Sequence, residues 1–332
     1  ERLAMDGFAF GVVLAVLASL IIAANILVAV ALFRLIQKNG CTGLYFVFNL
    51  AVADFLVGIT ITGLVTDELS THSHPTPKMF CILRMAFIIS PSAASILTMI
   101  MVTFDRYLAI KQPFQYFRIM SGLVVGACIV GLWLAACFIG FLPVIVQGFQ
   151  QTYEGKCTFF GVFRPTYMLT IFCIGFFPAL FIFIYLYCDI LKIASLHVQH
   201  IREVAQVGLS GNSPSPHNTS DMKAVRTVAI LIGCFVLSWS PFFIASIVKT
   251  VCQKCLPYDV IERYLWLLGL CNSLLNPLIY AYWQKEVRLQ IYQLCLCVKR
   301  KVFPLFHMES GPRVPSRGPA PIRAISHPQF QE

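Results

Sequence analysis

The chain has 332 residues, of which 58% are hydrophobic and only 12% charged, against roughly 45–50% and about 25% in soluble domains. That balance excludes an ordinary soluble domain and fits a chain solvated by lipid. A net charge of +10 without an aromatic-interleaved basic patch points to membrane phosphates and not to nucleic acid.

A bilayer core about 30 Å thick needs about 20 apolar residues per helix, and windows of that length recur along the chain. Residues 8–33, 85–104, 119–153, 165–188, 227–248 and 264–284 hold no Asp, Glu, Lys or Arg, and a further window, 41–66, is interrupted by Asp54 alone. Seven spans put the two chain ends on opposite sides of the membrane. With residues 1–7 outside, 17 of the 25 Lys and Arg fall on the inner side, as the positive-inside rule requires. The expected architecture is an all-α membrane protein, a multi-pass seven-transmembrane helix bundle over 8–283 with its N-terminus outside.

The connections add detail. Residues 206–220, rich in Gly, Ser and Pro, read as a flexible cytoplasmic loop between the fifth and sixth spans. After the seventh span, Val287, Ile291 and Leu294 recur at helical spacing. Residues 284–297 therefore read as a short amphipathic helix on the inner membrane face, with Lys285 and Arg288 toward lipid phosphates. Cys295 and Cys297 there are palmitoylation candidates. Residues 309–332 lack apolar periodicity and read as a disordered tail.

The cysteines divide by position. Cys81 at the start of the third span and Cys157 after the fourth both face the oxidising side and can pair, or remain two unrelated thiols. Cys252 and Cys255 form a C-x-x-C in an outer loop; with no second ligand pair nearby, a local disulfide is favoured over a metal site.

Polar residues inside the spans demand reasons. A charged group near the bilayer centre costs roughly 2.5–3.5 kcal/mol on insertion scales, so Asp54 needs partners. Ser95, Asn272, Ser273 and Asn276 are the scarce polar groups at comparable depth. Together they make a polar network or a sodium or proton site. Pro241 and Pro277 each delete a backbone hydrogen bond in the sixth and seventh spans, which marks a moving part. From residues alone, an ion-coupled carrier using Asp54 competes with a receptor. The chain shows neither repeats nor inverted halves of the kind carriers show, and no triad or paired carboxylates mark an enzyme.

Seven motifs, one per span, then carry a resemblance. They are Asn25; Asn49 through Asp54; Cys81 with Asp105-Arg106-Tyr107; Trp133; Pro178; Trp239-Ser240-Pro241; and Asn276-Pro277-Leu278-Ile279-Tyr280. The set resembles the rhodopsin-like family of G-protein-coupled receptors from about residue 8 to 298. The resemblance implies a Cys81–Cys157 disulfide and an activation switch of Asp105, Arg106, Asp221, Phe235, Trp239, Pro241 and Tyr280. It also implies that Arg106 is held by Asp105 and Asp221 at rest and released to meet a heterotrimeric G protein, with arrestin as a further partner. Ile96 and Pro178 match the packing partners of Phe235. Leu186 stands where many members carry a Tyr, which puts the usual partner of Tyr280 in doubt.

For the ligand, amine receptors of this family carry an Asp seven residues after the third-span Cys. Here that position is Ile88, so a cationic amine lacks its counterion. An apolar slot is expected from Ile88, Ile89, Ser92, Phe159, Phe160, Phe242, Phe243 and Trp266, with Arg84, Glu262 and Glu68 at a polar mouth. A closer likeness within the family implies lipid amides such as oleoylethanolamide, or lysophospholipids, as ligands. It also implies coupling to the stimulatory G protein that raises cyclic AMP.

Overall fold

The computed structural model describes residues 7–69, 77–153, 155, 157–206, 216–252, 255–257 and 260–307, some of them, including 216–225, by backbone alone. Among the described residues, seven helices are long and apolar enough to cross a membrane. The first two are α1 (Gly7–Asn39) and α2 (Leu44–Leu69). The third, α3 (Lys78–Lys111), leads through short α4 (Pro113–Ile119) into the fourth, α5 (Gly122–Ile145). Ser121 caps α5 by accepting from the Val124 N–H.

After α5 the chain folds back on itself. Gln151 N–H donates to Val162 O at 2.7 Å and Arg164 N–H to Phe149 O at 2.8 Å, on either side of the one-turn helix α6 (Phe159–Val162). A Cys81–Cys157 disulfide with Cα atoms 5.6 Å apart staples this segment to α3. The loop is thereby a fixed wall.

The fifth span is not one regular helix. It runs as α7 (Pro165–Ile171), a wide π-turn (Phe172–Phe176) and α8 (Phe177–Gln206). Pro178 supplies the reason. Its ring would strike the carbonyl four residues back in a regular helix, and a wider turn relieves that clash.

The sixth helix, α9 (Pro216–Val251), begins earlier than composition implied. Residues 216–220, expected in the flexible loop, are helical, because a proline is pre-organised for a first turn. Residues 207–215 and the expected tail 309–332 lie outside the described residues. The seventh span is a π-turn (Val260–Leu265) followed by α10 (Trp266–Trp283). The last helix, α11 (Lys285–His307), runs ten residues past the expected end at 297. The basic run Lys299-Arg300-Lys301 consists of good helix formers and does not stop it.

Proline breaks are repaired locally. Pro277 leaves the Ser273 carbonyl without its helical donor, and Asn25 Nδ2 on α1 donates to that oxygen at 2.9 Å. Pro143 in α5 likewise frees the Ile139 carbonyl, and Tyr167 Oη donates to that oxygen at 2.9 Å. Each freed or crowded turn thus stays hydrogen-bonded away from water. Glycine permits one close crossing that matters for function: a Cβ on Gly269 would lie 2.7 Å from the Trp239 ring. Only a residue without a side chain lets α10 press against that indole.

Candidate functional site

Three polar or concave features lie along the bundle, and each is built from several helices. At the disulfide end is a narrow cavity of about 210 Å³. Ile88, Ile89, Ser92, Phe159, Phe242, Phe243 and Trp266 line it, as expected, and so do Met85, Phe176 and Trp239, which no sequence motif marks as pocket residues. An arm reaches Ala93, Leu97 and Ile139 between α3 and α5. Phe159 packs against Phe163 and Phe242 with ring centroids 5.3 and 6.4 Å apart, so the stapled loop forms part of the wall.

The mouth of the cavity is charged but internally engaged. Glu262 Oε1 accepts from the Phe160 backbone N–H at 3.0 Å, and Arg263 Nη2 stands 3.9 Å from Glu68 Oε2. The Arg263 guanidinium also lies 5.4 Å from the Phe10 ring centre. Two expected residues do not line the cavity. Arg84 is turned onto the Phe80 ring at 4.9 Å, where the stem and head of an arginine find an aromatic face. Phe160 contributes its backbone, not its ring. Arg263, the mouth's cation, carried no sequence signal beyond its place beside Glu262.

One layer deeper, Asp54 is wholly buried. Ser95 Oγ and Ser273 Oγ both donate to its Oδ1 at 2.8 Å, and Asn276 Nδ2 donates to Oδ2 at 2.8 Å. Three helices therefore meet on one carboxylate. Asn272, at the same depth, is buried, and its Oδ1, like Asn276 Oδ1, has no hydrogen-bond partner among the described residues. Above this layer, Phe235 packs on Phe176 and Phe183 at 5.9 and 5.5 Å, and Trp239 on Phe242 and Phe243 at 6.0 and 5.8 Å. Pro178, expected beside Phe235, is instead exposed, because the π-turn rotates it outward. Pro241 sits half-buried within α9.

At the opposite end Asp105 is buried and grips Arg106. Arg106 Nε donates to Asp105 Oδ2 at 2.9 Å, and Nη2 bonds the same oxygen. Tyr116 Oη, on α4, donates to Oδ1 at 2.7 Å. Burial, and then that bond to Asp105, hold the Tyr116 phenol above its usual range. Gly43 closes over the pair, since a Cβ there would lie 2.6 Å from Asp105 Oδ2. The Asp221 side chain lies outside the described residues. Leu186 is buried against Tyr107 and Ile110, and Tyr280 Oη, also buried, has no hydrogen-bond partner among the described residues. Tyr107 Oη instead donates to Asp189 at 2.9 Å, and Lys111 reaches the same carboxylate at 3.0 Å.

The second disulfide joins Cys252 and Cys255, and among the described residues no cluster of His, Cys, Asp or Glu could hold a metal. Cys295 and Cys297 are free and exposed on α11.

Compared with known proteins, residues 24–280 match the model of the 7 transmembrane receptor (rhodopsin family). The chain is a rhodopsin-family receptor. The receptor is 58% identical over 331 residues to the human glucose-dependent insulinotropic receptor, covering 98% of this chain and 99% of that one. It is 59% identical over 293 residues to the rat glucose-dependent insulinotropic receptor, covering 88% of this chain and 63% of that one. A more distant likeness, 31% over 296 residues, is to the rat 5-hydroxytryptamine receptor 4, with 82% of this chain and 72% of that one covered. As a class A G-protein-coupled receptor it is a multi-pass plasma-membrane protein and not an enzyme. Its partners are a G protein and a small-molecule ligand.

Proposed function

We propose that this receptor senses an amphiphilic lipid, a lipid amide such as oleoylethanolamide or a lysophospholipid, and activates the stimulatory G protein to raise cyclic AMP. The observation that carries the ligand class is the cavity: narrow, walled by aliphatic and aromatic side chains, with its charge confined to the mouth. An acyl chain fills such a slot, while Glu262 and the Arg263–Glu68 pair meet a polar head. Ile88 is buried in the wall, so the receptor offers an ammonium no carboxylate there. This separates its pocket from those of amine receptors, although a relative named for 5-hydroxytryptamine is 31% identical over 296 residues. The match to glucose-dependent insulinotropic receptors over nearly the whole chain supports the same reading.

In this reading the disulfide end faces outside and Arg106 faces the cytoplasm, where the G protein, and arrestin after it, dock. The ligand biases the Trp239 and Phe235 packing, and α9 swings about Pro241 to free Arg106 from Asp105 and Asp221. Two packings a few kcal/mol apart are enough for such a switch. A sodium ion fits the Asp54 layer: one carboxylate, two serine hydroxyls and the unpartnered Asn272 and Asn276 oxygens form an all-oxygen donor set of the kind hard cations take. These residues would hold it and so stiffen the resting arrangement.

The test is cyclic AMP in cells expressing the receptor, with and without oleoylethanolamide, in wild type and Trp266→Ala at matched surface levels. Wild type should respond, and the variant should need about tenfold more ligand, the equivalent of about 1.4 kcal/mol of lost contact. An absent wild-type response would overturn the ligand class. An unshifted Trp266→Ala response would overturn the pocket.

A further inference from the structure

A second concavity lies on the lipid-facing surface at the Arg106 end, between α9 and α10. Ile230 and Cys234 form one wall and Leu275, Leu278 and Ile279 the other, enclosing about 590 Å³ that is open to the side. From Leu275 to Trp283 the wall runs eight residues, or about 12 Å along the helix axis. Its surface is almost wholly apolar apart from Arg288, the first-turn residue of α11 that closes one end.

Three observations fix what that end meets. Tyr282 and Trp283 line the groove beside Arg288, with ring centroids 4.6 Å apart, and such aromatics sit at the level of lipid headgroups. Arg288 is exposed, and Nη1 donates to the Tyr282 carbonyl at 3.2 Å, which aims the guanidinium at the groove while leaving its other N–H groups to spare. Lys285 and Glu286 are the neighbouring charges, both exposed and neither lining the groove. An apolar trough with a single oriented guanidinium at phosphate depth matches one molecule type: a phosphate-bearing head attached to an acyl chain.

We propose that this groove is a seat for an anionic glycerophospholipid, its phosphate on Arg288 and one acyl chain laid between α9 and α10. It is separate from the cavity at the disulfide end and does not depend on what that cavity binds. Because its walls are the two helices that carry Pro241 and Pro277, an occupied seat also bears on their spacing.

Trp283 is a built-in reporter. Receptor in phosphatidylcholine nanodiscs is titrated with bromine-labelled phosphatidylserine or, separately, bromine-labelled phosphatidylcholine, and Trp283 emission is isolated by difference against Trp283→Phe. Phosphatidylserine should quench at about one fifth of the mole fraction that phosphatidylcholine needs, the selectivity expected of one basic side chain at the surface. Arg288→Gln should abolish that difference and Arg288→Lys should keep most of it. Ala281→Phe, which fills the groove with Arg288 intact, should also abolish it. Equal quenching by the two lipids, or selectivity that survives Arg288→Gln and Ala281→Phe, overturns the seat.

Discussion

Asp54 and Asp105 are both buried carboxylates, 0% and 1% exposed, yet their surroundings differ in kind. Asp105 has a full countercharge in Arg106 and a phenol donor in Tyr116. Asp54 has three neutral donors and no cationic side chain bonded to it. The first arrangement supplies the countercharge from within the protein. The second leaves a carboxylate without a countercharge from the protein, which is why we propose it as the sodium site. Burial alone does not assign a role to an aspartate; the charge of its donors does.

The largest break in this comparison comes from Arg106→Leu. Removing one partner of a buried pair costs about 3–5 kcal/mol; since Arg106 is 30% exposed, water reaches the site and about 2 kcal/mol is expected. The detergent-solubilised variant should melt below wild type, and Asp105→Leu/Arg106→Leu should recover most of the loss. An unchanged midpoint would show that Tyr116 alone satisfies Asp105.

Tyr116→Phe removes one hydrogen bond to a charged group, worth about 1.5 kcal/mol, and should lower the same midpoint by somewhat less than Arg106→Leu. A drop exceeding that of Arg106→Leu would reverse the ranking of the two partners.

The smallest effect is expected from Asp54→Asn, about 1 kcal/mol, because the amide keeps an acceptor for the two serines and Asn276 has a spare oxygen to turn toward it. Its signature is ionic and not thermal. Exchanging choline chloride for sodium chloride should raise the wild-type midpoint and leave Asp54→Asn unmoved. Equal responses would place the cation elsewhere.

The meeting of Asp54 with Ser95, Ser273 and Asn276 was readable because polar groups are rare at that depth and a buried acid must find them. The seven spans were readable for the same reason in reverse, as stretches that contain almost nothing polar. Tyr116 was not. It follows Asp105 by eleven residues, across the break at Pro113, and no helical period relates two positions on either side of such a break. Arg84 was misplaced because sequence gives a residue's level on α3 but not the direction of a long, flexible side chain, and the Phe80 ring was the nearer partner. The π-turn before Pro178 had a cause in the sequence, but a proline can equally bend, end or widen a helix. Leu186 visibly lacks a hydroxyl; that Tyr107 and Lys111 turn to Asp189 depends on how α3 and α8 pack, which no local pattern encodes.

The hydrogen bond from Asn25 to the Ser273 carbonyl has a consequence for how the molecule is made. The two residues are 248 positions apart, so the ribosome delivers the amide long before the carbonyl that needs it. Until the last span arrives, Asn25 Nδ2 has only its own helix to bond, at the Ile21 carbonyl 2.9 Å away, and its second N–H faces hydrocarbon unpaired. A chain that stops short of the seventh span keeps that second donor unpaired in its first helix.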